Sequence, residues 1–226
     1  MIEAVVFDLD GVLIDSEPVW EQVRRGLVAE RGGHWAPDAQ RRLMGMSTSE
    51  WARYLSEELG VRMASDDVAG GVVERMNERY ASDLPLMPGA VEAVRRMGSR
   101  WTLGLASSSP PEIIRMVLER AGLAGAFGAV ASSDEVAAGK PASDVYLLAA
   151  ARLGVAAASS VAIEDSSNGL RSASGAGYRV VAIPQPAYPP DPEALDLASV
   201  RLDSLDDLTP EVVEGLVRRT PTQGGG

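Results

Sequence analysis

There is no cysteine in these 226 residues and only one histidine, His34. The first absence excludes disulfide scaffolds, thiolate catalysis, Cys-ligated zinc and iron–sulfur clusters. The second excludes a multi-histidine metal site and leaves a Ser-His-Asp triad only if His34 itself serves. Aromatics are scarce, at 5% of residues, and no stretch approaches the roughly 20 apolar residues of a membrane helix. Positive charge is in deficit: 21 Lys and Arg against 32 Asp and Glu leave −11 at neutral pH. A field of that sign repels nucleic acid and anionic membrane surfaces, so neither is expected as a partner. It repels phosphorylated molecules as well, so a site for one needs a metal ion or local Lys and N–H donors. The opening segment has an acid at Glu3 and no basic run, unlike a secretory signal. A cytoplasmic monomer is the expectation.

What is present is ordinary globular material, 46% hydrophobic and 23% charged. Glu3 to Phe7 is a short, apolar, β-branched run, a buried strand that stops at Asp8. Trp101–Ala106, Gly128–Ala131, Ser160–Ile163 and Arg179–Ile183 look alike, and Val200–Leu202 is a weaker sixth. Helical patterns alternate with them, at Pro88–Met97, Pro111–Ala121, Ser143–Leu153 and Asn168–Gly175, two of them ending at Gly122 and Gly154. This alternation predicts an α/β fold: an open, mostly parallel Rossmann-like sheet flanked by helices. Residues 15–85 break the rhythm, with helical patterns at Pro18–Glu30, Asp38–Leu43, Ser47–Glu58 and Ser65–Ser82 and no strand. Ser47 and Glu50 have the spacing of a capping box. The expected organisation is a core of 1–14 and 86–220, an inserted α-helical cap domain of 15–85, and a flexible tail at 221–226.

In such a sheet, ligands bind beyond the carboxyl ends of the strands. Those ends carry Asp8-Leu9-Asp10-Gly11, Ser107-Ser108-Ser109 and Glu164-Asp165-Ser166, with Gly139-Lys140-Pro141 after the third strand. Asp8 and Asp10, two apart, point the same way in an extended chain. With Asp165 they make an oxygen-rich site suited to Mg²⁺. Asp8 is then placed as a nucleophile, Asp10 as an acid and base, and Ser107 and Lys140 as holders of a phosphoryl group. No Gly-x-x-x-x-Gly-Lys-Ser/Thr or Gly-x-Gly-x-x-Gly supports another phosphate fold.

These four segments, in this order, resemble the motifs of the haloacid-dehalogenase-like hydrolases. Phe7 to Glu17 is similar to the first motif, Ala106 to Ser109 to the second, Gly139-Lys140-Pro141 with Tyr146 to the third, and Ile163 to Gly169 to the fourth. The likeness is to the branch that holds β-phosphoglucomutase and many small-molecule phosphatases. It implies a Mg²⁺-dependent phosphatase acting on a small phosphorylated metabolite through an aspartyl-phosphate. Asp8 is the implied nucleophile. Asp10 is the implied acid/base and a metal ligand through its main-chain carbonyl. Ser107, Ser108 and Lys140 are the implied phosphoryl-binding residues, and Asp8, Asp10, Glu164 and Asp165 the implied metal set.

Three residues depart from the mutases of that branch. Trp20 stands where they carry a His, Thr48 where they carry the Arg of a Gly-x-Ser-Arg cap turn, and Pro110 where they carry a Lys. A phosphatase is therefore favoured over a phosphosugar mutase, with a non-catalytic binding module as the third reading. Blander roles compete at several positions. Ser109 fits a helix N-cap ahead of Pro110 and Pro111. Glu164 and Asp165 fit the acidic start of the next helix, and Asn168 fits a helix-start residue. His34 fits an exposed turn, Gly45–Thr48 either a helix start or a loop facing the site, and Trp20 and Trp51 packing.

Overall fold

The computed structural model describes residues 1–218, so the 221–226 tail expected from the sequence lies outside the described residues. In chain order the elements are β1 (Ala4–Phe7), α1 (Glu17–Glu30), α2 (Ala39–Leu43), α3 (Thr48–Arg53) running into a π-helical turn (Tyr54–Glu58), α4 (Ser65–Ser82), α5 (Ala90–Gly98), β2 (Thr102–Ser107), α6 (Pro111–Arg120), β3 (Ala129–Ser132), α7 (Asp144–Leu153), β4 (Ser160–Glu164), α8 (Ser167–Gly175), β5 (Arg179–Ala182), α9 (Pro192–Leu195), β6 (Val200–Arg201) and α10 (Pro210–Gly215). The six strands pair in parallel in the order β3-β2-β1-β4-β5-β6. The fold is the expected α/β, Rossmann-like sheet flanked by helices.

Every residue of β1 is buried, which is why it reads as an unbroken apolar run rather than an alternating one. Alternate side chains serve opposite faces. Val5 and Phe7 join the core beneath α5 and α6, with Val94, Met97, Ile113 and Val117. Val6 joins the core beneath α7 and α8, with Val145, Ala149, Leu170 and Ala173. Burying a ring like Phe7, which is 0% exposed, contributes about 1.5–3 kcal/mol.

The strand order reverses between β1 and β4, the switch point at which such sheets open a crevice. Phe7 is in register with Leu105 on one side and Ile163 on the other, so Asp8 emerges level with the ends of β2 and β4. The helical insert α1–α4 hangs from the same edge. Its two connections pair with each other: Asp15 N–H donates to Pro85 O at 2.7 Å, and Ile14 bridges Leu86 antiparallel.

Two local readings are refined by the structure. The Ser47–Glu58 helix keeps its capping box at Ser47 and Glu50 but widens into the π-helical turn after Arg53. Ser109 does not cap α6: Pro110 holds the N-cap position, and the Ser109 hydroxyl turns to Asp10 instead. Among the described residues, no helix is long and apolar enough to cross a membrane.

Candidate active site

Asp8 leaves β1 with its N–H still in the sheet, donating to Ile163 O at 3.0 Å. Its side chain is buried, and its Oδ1 lies 2.9 Å from Lys140 Nζ. The same ammonium is 2.6 Å from Glu164 Oε1 and donates to Ala106 O at 3.2 Å. Tyr146 completes the group, its hydroxyl donating to Glu164 Oε1 at 2.9 Å and its ring lying 5.0 Å from the ammonium. Glu164 Oε2 accepts from the N–H of Asp165 at 3.1 Å. Asp165 is also buried, and among the described residues its Oδ1 has no hydrogen-bond partner.

The electrostatics are strained in one direction. Burial pushes the Asp8 carboxyl well up; Lys140 opposes this, and Glu164 and Asp10 add to it. Burial does the same to Asp165, with Glu164 and Asp8 reinforcing it. Burial would lower Lys140, but the two carboxylates beside it outweigh that and hold its pKa above the ordinary lysine value. Three buried carboxyl groups thus face one ammonium, which is why the charged forms of Asp8 and Asp165 are disfavoured here. Oxygens of Asp8, Glu164 and Asp165 all lie within 4.8 Å of one another. A hard divalent cation fits this donor set, since carboxylate oxygens suit Mg²⁺ and the orphaned Asp165 oxygen lacks any other partner.

The Asp10 side chain stands outside this cluster. The chain does not stay extended after Asp8: Leu13 and Ile14 N–H groups both donate to Leu9 O, and Gly11 takes φ +79°. That turn aims Asp10 along the rim. Its Oδ1 accepts from Ser16 Oγ at 2.6 Å and Trp20 Nε1 at 3.1 Å. Its Oδ2 accepts from Ser107 Oγ at 3.2 Å and Ser109 Oγ at 2.8 Å. Four donors, from the end of β2, the turn after it, the first linker and α1, therefore fix one carboxylate. Ser107 also accepts from Ser109 N–H at 2.9 Å, and Ser108 donates to Gly45 O at 2.9 Å.

The cleft between sheet edge and insert is lined by Asp8, Asp10, Lys140, Asp165, Ser108 and Ser109 from below, and by Glu17, Trp20, Arg24, Trp51 and residues 43–46 from above. It brings together Asp8, Asp10, Ser108, Lys140 and Asp165 of the sequence candidates. Ser107 lies beneath, bonded to Asp10, and Glu164 lies behind Lys140. Thr48 is turned away, its N–H donating to Asp134 Oδ1 at 2.8 Å. His34 is exposed and does not line the cleft.

Sequence reasoning missed several functional positions. Trp20 looked like packing, yet its indole N–H holds Asp10. Asn168 Nδ2 donates to Met44 O at 2.9 Å, tying α8 to the insert. Gly11 and Gly169 exclude side chains for a specific reason. A Cβ on Gly11 would lie 2.0 Å from Asp165 Oδ2, and one on Gly169 would lie 2.0 Å from the Glu164 carboxyl. The glycine of the first motif was visible in sequence; what it leaves room for was not.

A family model described as haloacid dehalogenase-like hydrolase matches residues 2–177. The chain is 35% identical over 214 residues to hexitol phosphatase B of Escherichia coli strain K12, covering 92% of this chain and 95% of that one. It is 34% identical over 177 residues to the phosphorylated carbohydrates phosphatase of Thermotoga maritima, covering 78% and 82%. Among solved structures, CbbY from Rhodobacter sphaeroides in complex with phosphate superposes with a TM-score of 0.80 at 29% identity, covering 92% of this chain and 96% of that one.

Proposed function

Because the chain belongs to the haloacid dehalogenase-like hydrolases, we propose that it is a Mg²⁺-dependent phosphatase acting on a small, sugar phosphate-like phosphomonoester through an aspartyl-phosphate on Asp8. The observation that carries this reading is the meeting of Asp8, Lys140 and Asp165 at the switch point, with Asp10 fixed at the mouth of the same cleft. The names of the phosphatases it resembles support the substrate class.

Asp8 Oδ attacks phosphorus and the P–O bond to the sugar breaks. Asp10 delivers a proton to the departing oxygen, then takes one from the water that hydrolyses the aspartyl-phosphate. Lys140 holds Asp8 in place and balances charge gathering on the phosphoryl oxygens. Ser108 and its N–H bind those oxygens. Ser107 orients Asp10 through its hydroxyl and supports the turn. Asp8, Asp165, the Asp10 main-chain carbonyl and, behind them, Glu164 would hold Mg²⁺, which when bound offsets the carboxylate charge and withdraws electron density from phosphorus. The inserted 15–85 cap closes over the 1–14 and 86–220 core and excludes water during transfer. The reading includes a cytoplasmic monomer with neither nucleic acid nor membrane as partner, since the charge of −11 repels both of the latter.

Phosphate release from a panel of phosphorylated metabolites and p-nitrophenyl phosphate, with and without Mg²⁺, tests the proposal. Asp8→Asn is expected to reduce release to background. Full activity of that variant overturns the role of Asp8. Interconversion of sugar phosphates faster than phosphate release would replace the phosphatase with a mutase.

A further inference from the structure

Resting on the phosphatase reading, we propose that Arg24 is a specificity-determining residue that binds a second anionic group, a carboxylate or a second phosphate, at the substrate end remote from the phosphoryl group on Asp8. Arg24 is 5% exposed, yet it lines the cleft that holds Asp8 and Lys140. Its Nε has no hydrogen-bond partner, and none of the ion pairs among the described residues includes it. Its guanidinium lies 4.5 Å from the Trp20 ring centroid and 5.1 Å from that of Trp51. Trp20 gives its N–H to Asp10 and its face to Arg24. The cation is thus one indole away from the reacting end.

Of the cleft-lining side chains, Lys140 and Arg24 are the cations. Lys140 is committed to Asp8 and Glu164; Arg24 is not committed. The carboxylates that act on Arg24 are Glu17 and Asp10. Asp10 already accepts from four side chains. Glu17 is tied to Gln40 Nε2 at 2.6 Å and is pushed by burial to about 7, so near neutral pH it cancels the guanidinium only in part. Burial lowers Arg24 itself only to about 10, which leaves it charged. The guanidinium lies against a tilted pair of indoles whose centroids are 6.1 Å apart, which restrains a planar fork suited to a carboxylate or phosphate edge. A guanidinium present only for packing has no need to line the cleft while its buried Nε lacks a partner among the described residues.

The test uses matched pairs with the Mg²⁺-loaded full chain. One pair is 2-phosphoglycolate and 2-hydroxyethyl phosphate; the other is a pentose 1,5-bisphosphate and the pentose 5-phosphate. Wild type is expected to favour the doubly anionic member of one pair by roughly 10- to 100-fold in kcat/KM, mostly through KM. The preferred pair identifies carboxylate or phosphate. Arg24→Gln is expected to collapse that ratio towards one, and Arg24→Lys to keep part of it. Tryptophan fluorescence titrations with the same compounds read binding without turnover, through Trp20 and Trp51. No preference in either pair, or a ratio unchanged in Arg24→Gln, overturns the proposal. Should Arg24→Gln fail to fold, Arg24→Lys and the wild-type ratio still decide. A binding preference without any hydrolysis, of p-nitrophenyl phosphate included, overturns the phosphatase reading and upholds Arg24.

Discussion

Lys140 is one positive charge shared by two buried carboxylates, Asp8 at 2.9 Å and Glu164 at 2.6 Å. Removing one partner of a buried ionic group leaves uncompensated charge and typically costs about 3–5 kcal/mol. Lys140→Met is therefore expected to lose phosphatase activity and to lower the urea midpoint at neutral pH, with the deficit shrinking as acid protonates the carboxylates. Asp10→Asn is expected to cost roughly 10²–10⁴-fold in kcat with little change in stability, because the amide oxygen still accepts from part of its four-donor set. Glu17 gives a pH dependence of opposite sense to an ordinary salt-bridged acid. Burial lifts it from 4.5 to about 7 in the folded state, so the folded chain holds the extra proton between those values. Its contribution is fully present below pH 4.5 and is lost as pH rises through 7. The loss is at most about 3 kcal/mol and less where water reaches this half-buried side chain. Glu17→Gln is expected to flatten this part of the stability profile in denaturant melts at pH 5 and 7.5.

At the scale of elements, the site depends on how closely helices approach the strand ends. α8 is capped by Ser166, whose hydroxyl accepts from Gly169 N–H at 3.1 Å. Gly169 in turn lets the helix sit on the Glu164 carboxyl. Gly169→Ala is a mild change for a helix, gaining up to about 1 kcal/mol in propensity, yet here it is expected to lower both melting temperature and kcat, because Glu164 must leave Lys140. A melting temperature equal to or above wild type would show that the helix shifts freely. The same logic explains Gly11, where positive φ and the Asp165 side chain both forbid a Cβ. The insert also acts on chemistry through one element: Ser16 and Trp20, at the start of α1, supply two of the four donors on Asp10.

For the whole molecule, insert and core touch through a few polar contacts beside the cleft: Asn168 to Met44 O, Ser108 to Gly45 O, and Thr48 N–H to Asp134. Each is worth about 1 kcal/mol. Asn168→Ala is expected to raise KM for metabolites roughly fivefold and to speed hydrogen exchange across residues 43–48, leaving the melting temperature within a few degrees. A KM equal to wild type would remove Asn168 from closure.

The parallel sheet was legible because its strands are buried on both faces and so appear as apolar runs, and the four strand-end segments because sheet topology sends carboxyl ends to one edge. Residue order and pattern alone determined Asp8, Lys140 and Asp165 as neighbours to be expected. Tertiary structure alone decided the partners of Asp10, whose carboxylate is held by Ser16, Trp20, Ser107 and Ser109. It alone revealed Arg24 as a cleft-lining cation without an ion-pair partner among the described residues. On the helical pattern Arg24 is one more charge on an amphipathic helix, and only the packing of α1 within the insert buries it beside Trp20 and Trp51. Periodicity encodes which face is buried, but what a buried polar group meets depends on side chains far away in the chain.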